Sequence, residues 1–126
     1  MQGWKVLLVD DEVEFASTLA ERLALRGVRA RTAYDGDEAL RLIDEEEPQV
    51  VVLDLMMPGL SGKEVLSRIK KLHPRIQVIL LTGHGSTRDG IEGMQLGAFD
   101  YLMKPLSIEE LMDKIGKAVE NEEPGK

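Results

Sequence analysis

Residues 6–12 read VLLVDDE: Val6, Leu7, Leu8 and Val9 form an unbroken apolar run, and Asp10, Asp11 and Glu12 follow at once. An apolar run this short reads as a strand covered on both faces, which is the habit of parallel sheets. Runs of the same kind recur at residues 50–53, ahead of Asp54, and at residues 78–81, ahead of Thr82. Weaker strand-like stretches lie at Arg29–Ala33 and Asp100–Met103, the second followed by Lys104 and Pro105.

Between these runs the apolar period lengthens to that of a helix. Phe15, Leu19 and Leu23 stand four apart, with Ala16 and Ala20 beside them. Ala39, Leu40 and Ile43 make a second stripe, and Val65, Leu66, Ile69 and Leu72 a third. Ile108, Leu111, Met112, Ile115 and Val119 make a long last one. Gly27 is placed to stop the first helix. Ser61 with Glu64, and Ser107 with Glu110, have capping-box spacing. Pro48 and Pro74 each end a helix before a strand. A fourth helical segment, residues 87–96, holds Gly90 and Gly93, each costing about 1 kcal/mol relative to alanine, and is expected to be the least stable. Five successive β–α pairs make an α/β domain with a parallel sheet.

At 126 residues and 43% hydrophobic content the chain can bury one core without a disulfide or a structural metal. The expected domain spans residues 1–120, with residues 121–126 a charged tail or the start of a linker. The formal charge of −7, from 23 acidic and 16 basic residues, argues against a nucleic-acid backbone as partner of this domain. There is no cysteine, so thiolate ligands and thiol nucleophiles are excluded. Residues 1–9 hold only a four-residue apolar run, too short for a leader or a span. The expectation is a cytoplasmic protein that makes no membrane contact.

In an open parallel sheet ligands bind beyond the carboxyl ends of the strands. Collected there are Asp10, Asp11 and Glu12 after the first strand, Asp54 at the third, Thr82 and Gly83 at the fourth, and Lys104 and Pro105 after the fifth. Carboxylates so placed repel one another unless a cation intervenes. Oxygen-only donors select a hard ion, with Mg²⁺ the expected cofactor. A metal, an ammonium and a hydroxyl together match the charge of a transferring phosphoryl group. An aspartate can be the nucleophile.

With VLLVDDE (residues 6–12), VVLDLMMPGLSG (51–62), VILLTGHG (78–85) and GAFDYLMKP (97–105), the chain resembles a bacterial response-regulator receiver domain from about residue 5 to 119. The resemblance implies a flavodoxin-like, doubly wound (βα)5 fold with strand order 2-1-3-4-5. It implies that Asp54 accepts a phosphoryl group from a histidine kinase or phosphotransfer protein. Asp10, Asp11, Asp54 and the backbone carbonyl of Met56 would hold Mg²⁺, Asp11 more directly than Asp10. Thr82 would move to the phosphoryl oxygens, Lys104 would pair with Asp54 and then with the phosphoryl group, and Tyr101 would swing inward as a switch. The Lys104–Pro105 bond is usually cis in this family. Such a domain is a self-phosphorylating and self-dephosphorylating switch rather than a turnover enzyme. It is a monomer or a weak phosphorylation-dependent dimer, and it signals to a downstream protein through its fourth helix, fifth strand and fifth helix. Leu106 departs from the phenylalanine that commonly follows Lys-Pro, without touching any site residue.

Other features read more plainly. His84, between two glycines, is an exposed loop residue, and His73 a helix-end residue. Trp4 packs against the sheet edge, and most of Met56, Met57, Met94, Met103 and Met112 fill the core. The acidic run at residues 44–47 is a solvated face, and Asp11 is also able to cap a helix spanning residues 12–26. Two rival functions fit less well. A stand-alone phosphatase with an Asp54 nucleophile commonly has a general acid two residues on, where this chain has Met56, and a substrate-recognition cap, for which it has no room. A flavodoxin-like cofactor carrier wants small residues and backbone donors after the first strand, where this chain has Asp10, Asp11 and Glu12.

Met56 and His84 stand where relatives tune the lifetime of the phosphoryl group, and a thioether gives an attacking water no polar guide. The phosphorylated form is therefore expected to outlast seconds once the donor is removed. A half-life of seconds in a label-chase experiment would contradict this.

Overall fold

The computed structural model describes residues 3–83 and 87–121; His84 and residues 122–126, and the expectations attached to them, lie outside it. The elements alternate as β1 (Lys5–Val9), α1 (Val13–Ala24), β2 (Arg29–Ala33), α2 (Gly36–Glu45), β3 (Val50–Asp54), α3 (Gly62–Leu72), β4 (Gln77–Thr82), α4 (Thr87–Gln95), β5 (Asp100–Met103) and α5 (Ile108–Asn121). All five strands are parallel and lie in the order β2-β1-β3-β4-β5. Asn121, placed with the tail by its composition, closes α5, and its Nδ2 donates to Gln77 Oε1 at 3.2 Å.

The unbroken apolar runs are explained by what covers them. Leu7, Val9, Val51, Leu53, Val78 and Leu80 pack on one face of the sheet with Ala39, Ile43, Val65, Leu66 and Ile69 of α2 and α3. Val6, Leu8, Val50, Val52, Ile79 and Leu81 pack on the other with Leu19, Leu23, Leu111, Ile115 and Ala118 of α1 and α5. Each of the Val, Leu and Ile side chains contributes about 1.5–3 kcal/mol on burial, and successive strand residues serve opposite layers. No helix among the described residues is long and apolar enough to cross a membrane.

The helix ends follow local chemistry. Ser61 caps α3 by accepting from the Glu64 N–H at 3.2 Å. Ser107 and Glu110 exchange two bonds, Glu110 N–H to Ser107 Oγ (3.0 Å) and Ser107 N–H to Glu110 Oε1 (3.3 Å). Gly27 takes φ 84° beyond α1, the left-handed conformation that glycine adopts without a Cβ clash. The start of α1 corrects the reading of Asp11 as a cap: the helix begins at Val13, its N-cap position is Glu12 with no side-chain bond, and Asp10 Oδ1 accepts the Glu12 N–H at 2.9 Å. Asp35 caps α2 through the Glu38 N–H at 2.7 Å, while Glu38 Oε1 accepts from the Tyr34 N–H. That is one more capping pair, not recognised in the sequence.

Two plain readings change, those of the methionines and of Trp4, and a third gains partners. Met56, Met94 and Met103 are exposed, and only Met57 is fully buried, because the other three sit on a loop, on the outer side of α4 and on the edge strand β5. The acidic run at residues 44–47 is exposed but paired: Glu45 with Arg41, Glu46 with Lys5, and Asp44 and Glu47 with the two ring nitrogens of His73 at 3.0 and 2.8 Å. His73 is the C-cap of α3, as its position suggested. Burial disfavours its charged form, but the two carboxylates outweigh that and raise its pKa. Trp4 packs on α5, its ring beside Gly116, rather than on an edge strand.

Both glycines of α4 face the sheet. A Cβ at Gly93 would stand 2.0 Å from Leu80 Cδ1, and one at Gly90 would stand 3.2 Å from the Tyr101 ring. The glycines thus let α4 approach closely, at the cost of helix propensity. Because few large side chains anchor this helix, its amides are expected to exchange fastest of the five helices in native-state hydrogen exchange. Finding α4 the best protected would contradict that.

Candidate functional site

Register brings the polar residues together. β1 and β3 pair Val9 with Leu53, so Asp10 and Asp54 emerge side by side where the strand order reverses. β3 pairs Asp54 with Leu81, one residue before Thr82, and β4 pairs Thr82 with Met103, one residue before Lys104. Asp10, Asp54 and Thr82 are the buried polar side chains at this edge, at 1%, 5% and 1% exposure. Asp11, Glu12, Asp54, Met56, Gly83 and Lys104 line the cleft above them.

Oxygens of Asp10, Asp11 and Asp54 lie within 4.8 Å of one another. Asp10 Oδ2 is buried and receives no well-aligned hydrogen bond among the described residues, although Lys104 Nζ is 2.8 Å away. A buried carboxylate oxygen with unused acceptor capacity, beside two more carboxylates, fits a hard divalent cation. The donor set therefore suits Mg²⁺. The Met56 backbone N–H donates to Asp54 Oδ1 at 3.0 Å, and the exposed Met56 side chain lines the cleft.

Lys104 carries the opposing charge. Its Nζ is 2.8 Å from Asp10 Oδ2, 2.7 Å from Glu12 Oε1 and 3.6 Å from Asp54 Oδ2, and lies 4.5 Å from the centroid of the Phe15 ring. The expected pairing with Asp54 is present as the longest of three ion pairs: the ammonium also pairs with Asp10 and hydrogen-bonds Glu12. Burial works against its charge, but the contacts with Asp10 and Glu12 and the field of Asp54 push its pKa up to about 12. Burial raises Asp54 first. The Met56 N–H and Lys104 pull it down, Asp10 and Asp11 push it up, and in the metal-free protein it rests at about 6. The Lys104–Pro105 peptide bond is cis.

Two expected members stand apart from the carboxylates. Thr82 follows the pleat of Leu80 rather than that of Asp54. Its hydroxyl donates to the Leu102 carbonyl at 3.5 Å, so it is not already placed on the cleft. Tyr101 is half-buried, packed under α4 against Gly90. Glu12 and Phe15 were missed as partners of Lys104. Their signal was faint: Phe15 reads as part of the α1 core stripe, and Glu12 as one more acid.

The family model described as the response regulator receiver domain matches residues 6–116. The probable transcriptional regulators ycf27 of Guillardia theta and Cyanophora paradoxa are 46% and 44% identical over 111 residues. Each match covers 88% of this chain, but only 43% and 46% of those proteins. The chain thus spans less than half the length of these curated relatives. Among solved structures, the receiver domain of NtrX from Brucella abortus is 36% identical with a TM-score of 0.88, over 91% of this chain and 98% of that one. A response regulator receiver domain protein from Clostridium thermocellum is 38% identical with a TM-score of 0.89, over 94% and 95%. Sequence, strand order and the acidic edge agree, and the chain belongs to the response regulator receiver domain family.

Proposed function

We propose that this chain takes a phosphoryl group onto Asp54 from the phosphohistidine of a histidine kinase or phosphotransfer protein, in a Mg²⁺-dependent reaction. The observation that carries the reading is the convergence of buried Asp10 and Asp54 with exposed Asp11 and with Lys104 at the β1/β3 switch point. An Asp54 carboxylate oxygen attacks phosphorus, the P–N bond to imidazole breaks, and an acyl phosphate forms on Asp54. Asp10, Asp11, Asp54 and the Met56 carbonyl would hold Mg²⁺, which when bound offsets the negative charge of donor and carboxylates. Lys104 supplies positive charge on the other side and holds no proton that must leave, since its pKa is about 12.

Phosphorylation places about −1.5 to −2 charges where one carboxylate stood. Thr82 then exchanges the long bond to Leu102 for a phosphoryl oxygen, and Tyr101, whose ring supports Gly90, turns inward and releases α4. The face of α4, β5 and α5 thereby changes its preference for a downstream protein, as a monomer or a weak dimer. Water later hydrolyses the acyl phosphate, so the domain is a self-resetting switch rather than a turnover enzyme. Phosphohistidine donors of this class place the work in the cytoplasm.

Incubation with Mg²⁺ and acetyl phosphate, followed by intact mass, should add one phosphate to the native protein and none to Asp54→Ala. An equal gain in both proteins, or a gain independent of Mg²⁺, contradicts the reading.

The raised Asp54 pKa also predicts a pH dependence. The native state holds this proton better than the unfolded chain, whose carboxyl titrates near 3.8. Stability from this group is therefore full below pH 3.8, falls as pH rises, and is lost above about 6. Without divalent ions at pH 7.5, Asp54→Asn should be more stable than the native protein by roughly 1–3 kcal/mol. The gap should close toward pH 4, and added Mg²⁺ should narrow it. Denaturant melts across that range that give equal stabilities for the two proteins at pH 7.5 contradict this.

A further inference from the structure

The Lys104 ammonium is held by more than the site needs. Asp10 is buried and its charge requires a partner. Glu12 has a side chain 63% exposed and would be well solvated without one, yet its Oε1 is the nearest oxygen to Nζ, at 2.7 Å. The Phe15 ring, with its centroid 4.5 Å from Nζ, presents a cation–π surface within the usual range. Both residues come from the start of α1, three positions apart and so on one side of the helix. Asp54 Oδ2, at 3.6 Å, lies outside ordinary N–H···O hydrogen-bond distance.

We infer that Glu12 and Phe15 are positioning residues that form a resting cradle for the Lys104 ammonium and compete with the phosphoryl group on Asp54 for it. This rests on the reading of Asp54 as phosphoacceptor. In the resting protein the cradle keeps the ammonium beside Asp54 without bonding it. When a phosphoryl group occupies Asp54, the ammonium leaves Glu12 and the ring for the new oxygens, and the strength of the cradle sets how firmly the charged state is held. Asp10 remains a partner in both states.

The test has two arms. In the metal-free protein, the ring of Phe15 should shift the Lys104 ε-methylene protons upfield; Phe15→Leu should abolish the shift and Glu12→Gln reduce it. In saturating Mg²⁺, beryllofluoride, a mimic of the aspartyl phosphoryl group, should bind about three- to tenfold more tightly to Glu12→Gln and about two- to threefold more tightly to Phe15→Leu. Phe15→Leu changes no charge, so it separates the cradle from a change in local potential. Lys104 protons at unshifted positions in the native protein overturn the inference. So does unchanged or weaker beryllofluoride binding in both variants, or tightening confined to Glu12→Gln that disappears in high salt. A native protein that shows the upfield shift but binds no beryllofluoride overturns the phosphoacceptor reading, and the competition falls with it.

Discussion

Two carboxylates, Asp10 and Asp54, are forced side by side and out of water at the point where the sheet changes direction, and the rest of the site answers the resulting repulsion. Close buried charges of one sign are costly unless neutralised. Lys104 supplies part of the answer in the metal-free protein, and a divalent cation suits the remainder. The cost is visible in Asp54, whose pKa is raised to about 6, against its charged form, while the neighbouring carboxylates raise Lys104 to about 12, in favour of its charged form. Perturbed groups side by side in a cleft mark a candidate functional site.

The surrounding fold holds that conflict in place. β3 is buried along its whole length, between α1 and α5 on one side and α2 and α3 on the other. The backbone on which Asp54 sits therefore cannot relax to relieve the repulsion. The softer parts lie around it: α4 rests on the sheet through two glycines, and Thr82 and Tyr101 sit on the α4 side of the pleat. A rigid charged centre beside a weakly anchored helix is an arrangement in which a local change of charge can be converted into movement.

Much of this was legible in the sequence, because parallel strands advertise themselves as apolar runs and the residue ending each run faces the ligand edge. Asp10, Asp54, Thr82 and Lys104 were found in that way. Side-chain direction was less legible. That Thr82 lies on the opposite pleat from Asp54, and that the Lys104 ammonium stands nearer Glu12 and Asp10 than Asp54, depends on register and rotamer, which spacing does not encode. Phe15 was hidden by doing two things at once, packing in the α1 stripe and facing the ammonium. His73 between Asp44 and Glu47 joins residues 26 and 29 positions away, so local pattern could not reveal it.

A crystal structure with Mg²⁺ and beryllofluoride bears on the site most directly. Beryllium bonded to an Asp54 oxygen, the metal among Asp10, Asp11 and Asp54, and the Lys104 ammonium on a fluoride are the expected result. An adduct on another residue, or a metal held away from Asp10 and Asp11, would show that the acidic edge is an electrostatic accident of the fold rather than a phosphoryl site.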